Sequence, residues 1–186
     1  MKAGATVKVS GIKAIKGVRP FAVEEKQFVI GKRYVLVNRP ADKGNMEASF
    51  VPLELEGDSY RTCIAYGYMK KLKAGDKVFA VVEDVGDTTV DELGKLAGKC
   101  THIPACTPGS HAADCPRIIV VPVVERIDFS GLEVMNISGF AAFLTDGSAI
   151  EGGITRISGR FIRHIAGADT SDDVKDYGLS GYKIIR

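Results

Sequence analysis

Ile118-Ile-Val-Val-Pro-Val-Val124 carries no charge, and six of its seven side chains are β-branched. A short apolar run with that composition reads as a buried strand. Downstream the β pattern continues through 132–144, 150–165 and 182–185, with Gly139-Phe-Ala-Ala-Phe-Leu144 the most apolar segment. At six residues this segment is a core strand, because a membrane span needs about 18 apolar residues.

Upstream the signals are weaker but alike. Ala5, Val7 and Val9 alternate with polar residues, which predicts a half-buried strand and marks a possible assembly edge, since an exposed edge offers unpaired backbone groups to a partner. The stretches 27–30 and 32–37 predict a hairpin about Gly31, and 38–45 reads as loop. Residues 50–55 read as a strand in which Pro52 implies an edge or bulge. Tyr60, Tyr66 and Tyr68 are expected on a strand that covers the core, and 72–77 forms a turn into a strand over 78–82. One helix is predicted over about 89–98: Thr89 and Glu92 have capping-box spacing, Val90, Leu93, Leu96 and Ala97 share a face, and Gly98 ends the pattern.

The fold class is therefore mainly β: an antiparallel β-sandwich or barrel-like sheets with one short helix and a tied loop. Residues 1–186 are expected to form a single domain, with possible sub-lobes 1–98 and 116–186 joined by the Cys-rich loop 99–115. The 21 glycines and the lack of tryptophan suit many turns between short strands. Net charge is only +2, from 25 basic and 23 acidic residues scattered among one another, so no broad field favours nucleic acid.

The four cysteines are Cys63, Cys100, Cys106 and Cys115. Three lie in the polar stretch Cys100-Thr-His-Ile-Pro-Ala-Cys106-Thr-Pro-Gly-Ser-His-Ala-Ala-Asp-Cys115. An even count in a loop rich in Pro, Gly, Ser and Thr predicts two disulfides that limit the entropy of the unfolded chain. Cys100 with Cys106 and Cys63 with Cys115 is the expected pairing, although four cysteines permit three connectivities. The alternative is a zinc site on Cys100, His102, Cys106 and Cys115, with His111 also interleaved, since tetrahedral zinc accepts thiolate and imidazole alike. The gaps of five and eight residues between those cysteines depart from the usual tight zinc knuckles.

No catalytic residues are assigned. Phosphate-loop, nucleophile-elbow and metalloprotease patterns are absent from the sequence, and His164 among Arg160 and Arg163 reads as a surface histidine. Adjacent carboxylates such as Glu24 and Glu25, or Asp172 and Asp173, would diverge on a strand.

Six blocks occur in order: 18–24, 60–68, 72–78, Asp114-Cys-Pro-Arg-Ile-Ile-Val-Val-Pro-Val-Val124, Ile137-Ser-Gly-Phe-Ala-Ala-Phe143 and Ile157-Ser-Gly-Arg-Phe-Ile-Arg163. Together they resemble the extracytoplasmic portion of TadE/TadG-like proteins of Flp (tight-adherence) pilus assembly, of the Gram-positive type. The resemblance implies a cell-surface or extracellular domain behind one N-terminal anchor helix, with other surface or pilus proteins, or further copies of itself, as partners. It supplies no catalytic residues. This chain departs from the pattern in the missing anchor, which makes Met1 the expected start of a truncated or processed form. The insert from Cys100 to Cys106, and Phe21 where tryptophan is frequent, also depart from it. The expected function is a non-catalytic structural protein acting through assembly or adhesion, with no cofactor and no nucleic-acid partner. A metal-binding domain using zinc and a secreted envelope-acting enzyme are the alternatives.

Overall fold

The computed structural model describes residues 6–42, 46–129 and 134–185. In chain order the elements are β1 (Thr6–Ile15), β2 (Phe21–Glu24), β3 (Arg33–Val37), β4 (Glu47–Glu54), α1 (Tyr60–Tyr66), β5 (Leu72–Lys73) and β6 (Lys77–Ala80). There follow α2 (Gly86–Gly98), β7 (Ile118–Val124), β8 (Val134–Glu151), β9 (Ile154–Ile162), β10 (His164–Ile165), β11 (Asp169–Ser171) and β12 (Leu179–Ile185). The chain is mainly β, as its composition and patterning predict, with two helices among the described residues.

The larger sheet closes on itself. Pairings run from β2 to β7, β8, β9, β3, β4 and back to β2, while β6 bridges β4 and β8. Both sheets are mixed rather than antiparallel: β2 pairs parallel with β7, β3 with β4, and β10 with β12. Strands from 1–98 (β2, β4 and β3) and from 116–186 (β7, β8 and β9) thus each fill one arc of a single ring.

Period-2 alternation explains the closure. Phe21 and Val23, Tyr34 and Leu36, Ala48 and Phe50, Ile119, Val121 and Val123, Ala141 and Phe143, and Ile157 and Phe161 are buried together in one cluster. The alternate residues Ala22, Leu53, Val124, Ala142, Leu144 and Ile162 face a second cluster with Ile12, Ile15, Val18 and Cys63. Strand β7 is buried on both faces, which is why its run shows no polar alternation. The second sheet, ordered β10-β12-β1-β11, lays β1 antiparallel to β12 from Thr6↔Ile185 to Gly11↔Ser180.

Several local expectations are corrected. Residues 25–30 form no strand, so the hairpin about Gly31 is absent and only Arg33–Val37 pairs. Pro52 lies on neither an edge strand nor a bulge. It sits where β4 passes from pairing with β2, through Phe50 to Pro52, to pairing with β6 from Leu53. The tyrosines lie not on a strand but around α1, where the Ser59 hydroxyl caps the helix by accepting from Thr62 N–H at 3.1 Å. The helix predicted from Thr89 begins at Gly86, and Thr89 is no cap: its hydroxyl donates back to the Val85 carbonyl at 2.8 Å. Of the suggested assembly residues, Ala5 lies outside the described residues. Val7 pairs through its backbone with Ile184, and Val9 is 57% exposed opposite Tyr182.

Gly67 ends α1 at φ 82°, ψ 151°, a region open essentially to glycine alone. A Cβ there would meet the Gly17 carbonyl oxygen at 2.6 Å, at the point where Gly17 N–H donates to Tyr68 O and Tyr68 N–H to Val18 O. Gly67→Ala is therefore expected to cost about 1–3 kcal/mol from backbone strain, with the overlap added. Urea denaturation measures this, and a loss under about 0.5 kcal/mol, typical of an uninvolved surface site, would contradict the close approach.

Candidate metal centre

Helix α2 launches the site. Its last turn closes with Lys99 N–H on Leu96 O and Cys100 N–H on Ala97 O, which sets Cys100 just beyond the helix end. The chain then turns through reciprocal backbone bonds between Thr107 and Ser110, at 2.8 and 3.2 Å. It returns to β7 with Cys115 N–H donating to Ala112 O and Ile118 N–H donating to Cys115 O. Arg117 anchors this return to the barrel. Its guanidinium donates to Thr145 O at 3.0 Å, to Asp146 Oδ1 at 2.9 Å and to Cys106 O at 3.4 Å.

These constraints gather Cys100, His102, Cys106 and Cys115, whose donor atoms all lie within 4.8 Å of one another. Cys100 Sγ is 3.6 Å from His102 Nδ1 and 3.5 Å from Cys115 Sγ. A tetrahedral zinc ion with Zn–S bonds of about 2.3 Å and Zn–N bonds of about 2.0–2.1 Å separates its ligands by about 3.5–3.8 Å, so the donors stand close to a coordination shell. Cys106 and Cys115 are buried, while Cys100 and His102 are half-buried. The second ring nitrogen of His102, Nε2, lies 3.5 Å from Asp114 Oδ1. A carboxylate at that position orients a metal-bound imidazole and raises its basicity.

The thiols are not equivalent. Cys100 is drawn down to about 6 by the hydrogen bond from the His102 ring and, next, by the His102 backbone N–H. His102 is correspondingly raised by Cys100, with Asp114 adding to the effect. Cys115 is pushed up to about 11 by burial, against which the Arg117 backbone N–H works. Thiolate sulfurs that accept backbone N–H bonds while facing one another need a cation between them to stay ionised together.

The expected disulfides are not found in the structure. All four cysteines are free, and neither Cys100 with Cys106 nor Cys63 with Cys115 is at bonding distance. The reason is tertiary. Cys63 points from α1 into the core cluster with Val18 and Tyr68, beside the half-buried Arg19. Cys115 is held by Arg117 and β7 in the other group. The imidazole of His102, two residues from Cys100, occupies the space beside its sulfur.

No family model matches this chain, and no curated protein or solved structure is significantly similar to it.

The histidine and tyrosine readings also change. His164 is not a plain surface residue: it is half-buried, and its Nδ1 lies 3.4 Å from His111 Nε2. Nothing in the sequence signals that meeting across 53 residues. Tyr60 is half-buried and hydrogen-bonded to Thr89 Oγ1 at 2.8 Å, and Tyr68 donates to Glu56 O, while Tyr66 is exposed, so the three do not form one platform. The adjacent carboxylates diverge as expected: Glu24 accepts from Ile127 N–H, whereas Glu25 pairs with Lys175. Among the described residues no helix is long and apolar enough to cross a membrane.

Proposed function

We propose that this chain is a non-catalytic zinc-binding β-domain, in which the ion clamps the loop 99–117 to the end of α2 and the start of β7. The observation that carries the reading is the mutual approach of the four donor atoms of Cys100, His102, Cys106 and Cys115 within 4.8 Å. Four protein ligands fill a tetrahedral shell and leave no position for substrate, which is the pattern of structural rather than catalytic zinc. The loop itself is polar, proline-rich and poor in core residues, so a cross-link there supplies order that packing does not.

Thiolate ligation needs reduced cysteines, so the disulfide argument for an oxidising compartment no longer supports an extracytoplasmic location. A cell-surface or pilus-associated role remains a proposal supported by the block resemblance to TadE/TadG-like domains, and it is compatible with a non-catalytic barrel. Partners in such an assembly would be other surface proteins or further copies of the chain.

The test is elemental analysis of protein purified without added reductant, followed by thiol counting. One zinc per chain is expected, with Cys100, Cys106 and Cys115 protected from alkylation in the folded zinc-loaded protein and all four thiols alkylated, without reductant, once it is chelated and denatured. Cobalt substitution should produce thiolate-to-metal charge-transfer absorption of a tetrahedral site. Metal-free protein whose mass rises by four alkyl groups only after reduction would overturn the reading and restore the two disulfides.

A further inference from the structure

A second cluster of metal-ligating nitrogens lies outside the Cys/His centre. His111 leaves the loop held by that centre, and His164 opens β10 directly after the barrel strand β9. His111 Nε2 and His164 Nδ1 face each other at 3.4 Å, with the rings tilted by 37° and their centroids 5.6 Å apart. The other nitrogen of His111, Nδ1, lies 3.2 Å from the Thr107 carbonyl. Only a protonated Nδ1 bonds a carbonyl, so neutral His111 presents a lone pair on Nε2, toward His164.

A nitrogen-to-nitrogen distance of 3.4 Å is long for a direct hydrogen bond, whose usual length is about 2.9–3.0 Å. It matches two imidazoles on one tetrahedral ion, where bonds of about 2.0–2.1 Å put the nitrogens about 3.3 Å apart. The carbonyl behind His111 is the outer partner that metal-bound histidines regularly have. In front of the pair opens a cleft of about 420 Å³, lined by Val9, Ala113, Arg163, Ile165 and Ser180 along with the two histidines. Arg163, at its wall, would favour an anionic oxygen as the additional ligand.

We infer that His111 and His164 form a second, exchangeable site for a divalent d-block ion, with coordination positions open to water or an anionic ligand in the cleft. Binding needs His164 in its neutral form with the proton on Nε2, and both imidazoles then donate lone pairs with no net change in charge. The site uses none of the four cluster ligands.

The test is calorimetric titration of Zn2+ into the full chain already carrying its tight zinc, with His111→Ala and His164→Ala beside the parent. One further, weaker event is expected in the parent. Each variant should weaken it at least about tenfold while keeping the tight zinc, which also reports that the variant is folded. No second event in the parent, or an undiminished one in both variants, overturns the inference. Should the parent hold no tight zinc yet still show a histidine-dependent event, the cluster reading fails and the two-histidine site stands.

Discussion

Cys115→Ser should leave the chain unable to retain zinc, while Cys63→Ser should retain it in full. Cys115 is buried within the donor group, 3.5 Å from Cys100 Sγ, and its backbone is bonded to the first residue of β7. A serine oxygen is a poor substitute for a thiolate, and the three remaining ligands leave the tetrahedral shell incomplete. An ion that binds only the folded chain stabilises it by about 4 kcal/mol when its concentration is about a thousand times its Kd. For a chain of this size that corresponds to about 8–16 °C in Tm. The parent should therefore fall by about that interval on addition of a chelator, whereas Cys115→Ser should start low and not respond. Cys63 lies in the core cluster around α1, apart from the donors, so its variant keeps the chelator response. Equal zinc contents in the two variants would contradict the assignment.

Phe161→Ala should be the most damaging single truncation in the barrel, costing about 3–5 kcal/mol. Its ring is fully buried, stacked on Phe28 with centroids 3.8 Å apart and edge-on to Phe143 and Tyr34 at 5.0 and 5.4 Å. Two residues earlier on β9, Gly159 leaves the space that the Phe143 ring fills: a Cβ there would lie 2.4 Å from a ring carbon. The aromatic layer is close-packed around Phe161, so little can relax into the void. The urea midpoint reads the cost directly, at an unchanged m-value. A loss near 1 kcal/mol would mean that the closed sheet is not packed on this layer.

These two residues mark how much was legible. Phe161 sits in a segment whose alternation predicts a strand, and the same alternation selects the inward residues of β7, β8 and β9. Cys115 was legible as a residue that must be cross-linked, and its membership of a Cys100, His102, Cys106 and Cys115 set was legible as an alternative. Its partner was not, because spacing favoured a disulfide and only the folded loop removes Cys63 from reach. Tyr60 to Tyr66 failed for a local reason: aromatic residues favour strands, but the Ser59 cap and packing on α2 made the segment helical.

By itself the sequence determined the β class, the extent of the strand Ile118–Val124, the existence of a polar loop between α2 and β7, and the chemistry available in that loop. Side-chain period and composition act within a few residues, so they survive without knowledge of the partner strands. The tertiary structure alone decided the closure of six strands into a ring, the mixed parallel pairings, the gathering of three thiols with one imidazole, and the meeting of His111 with His164. Each of these depends on chain segments far apart in sequence being brought within hydrogen-bonding distance, and no local propensity encodes which segments those are.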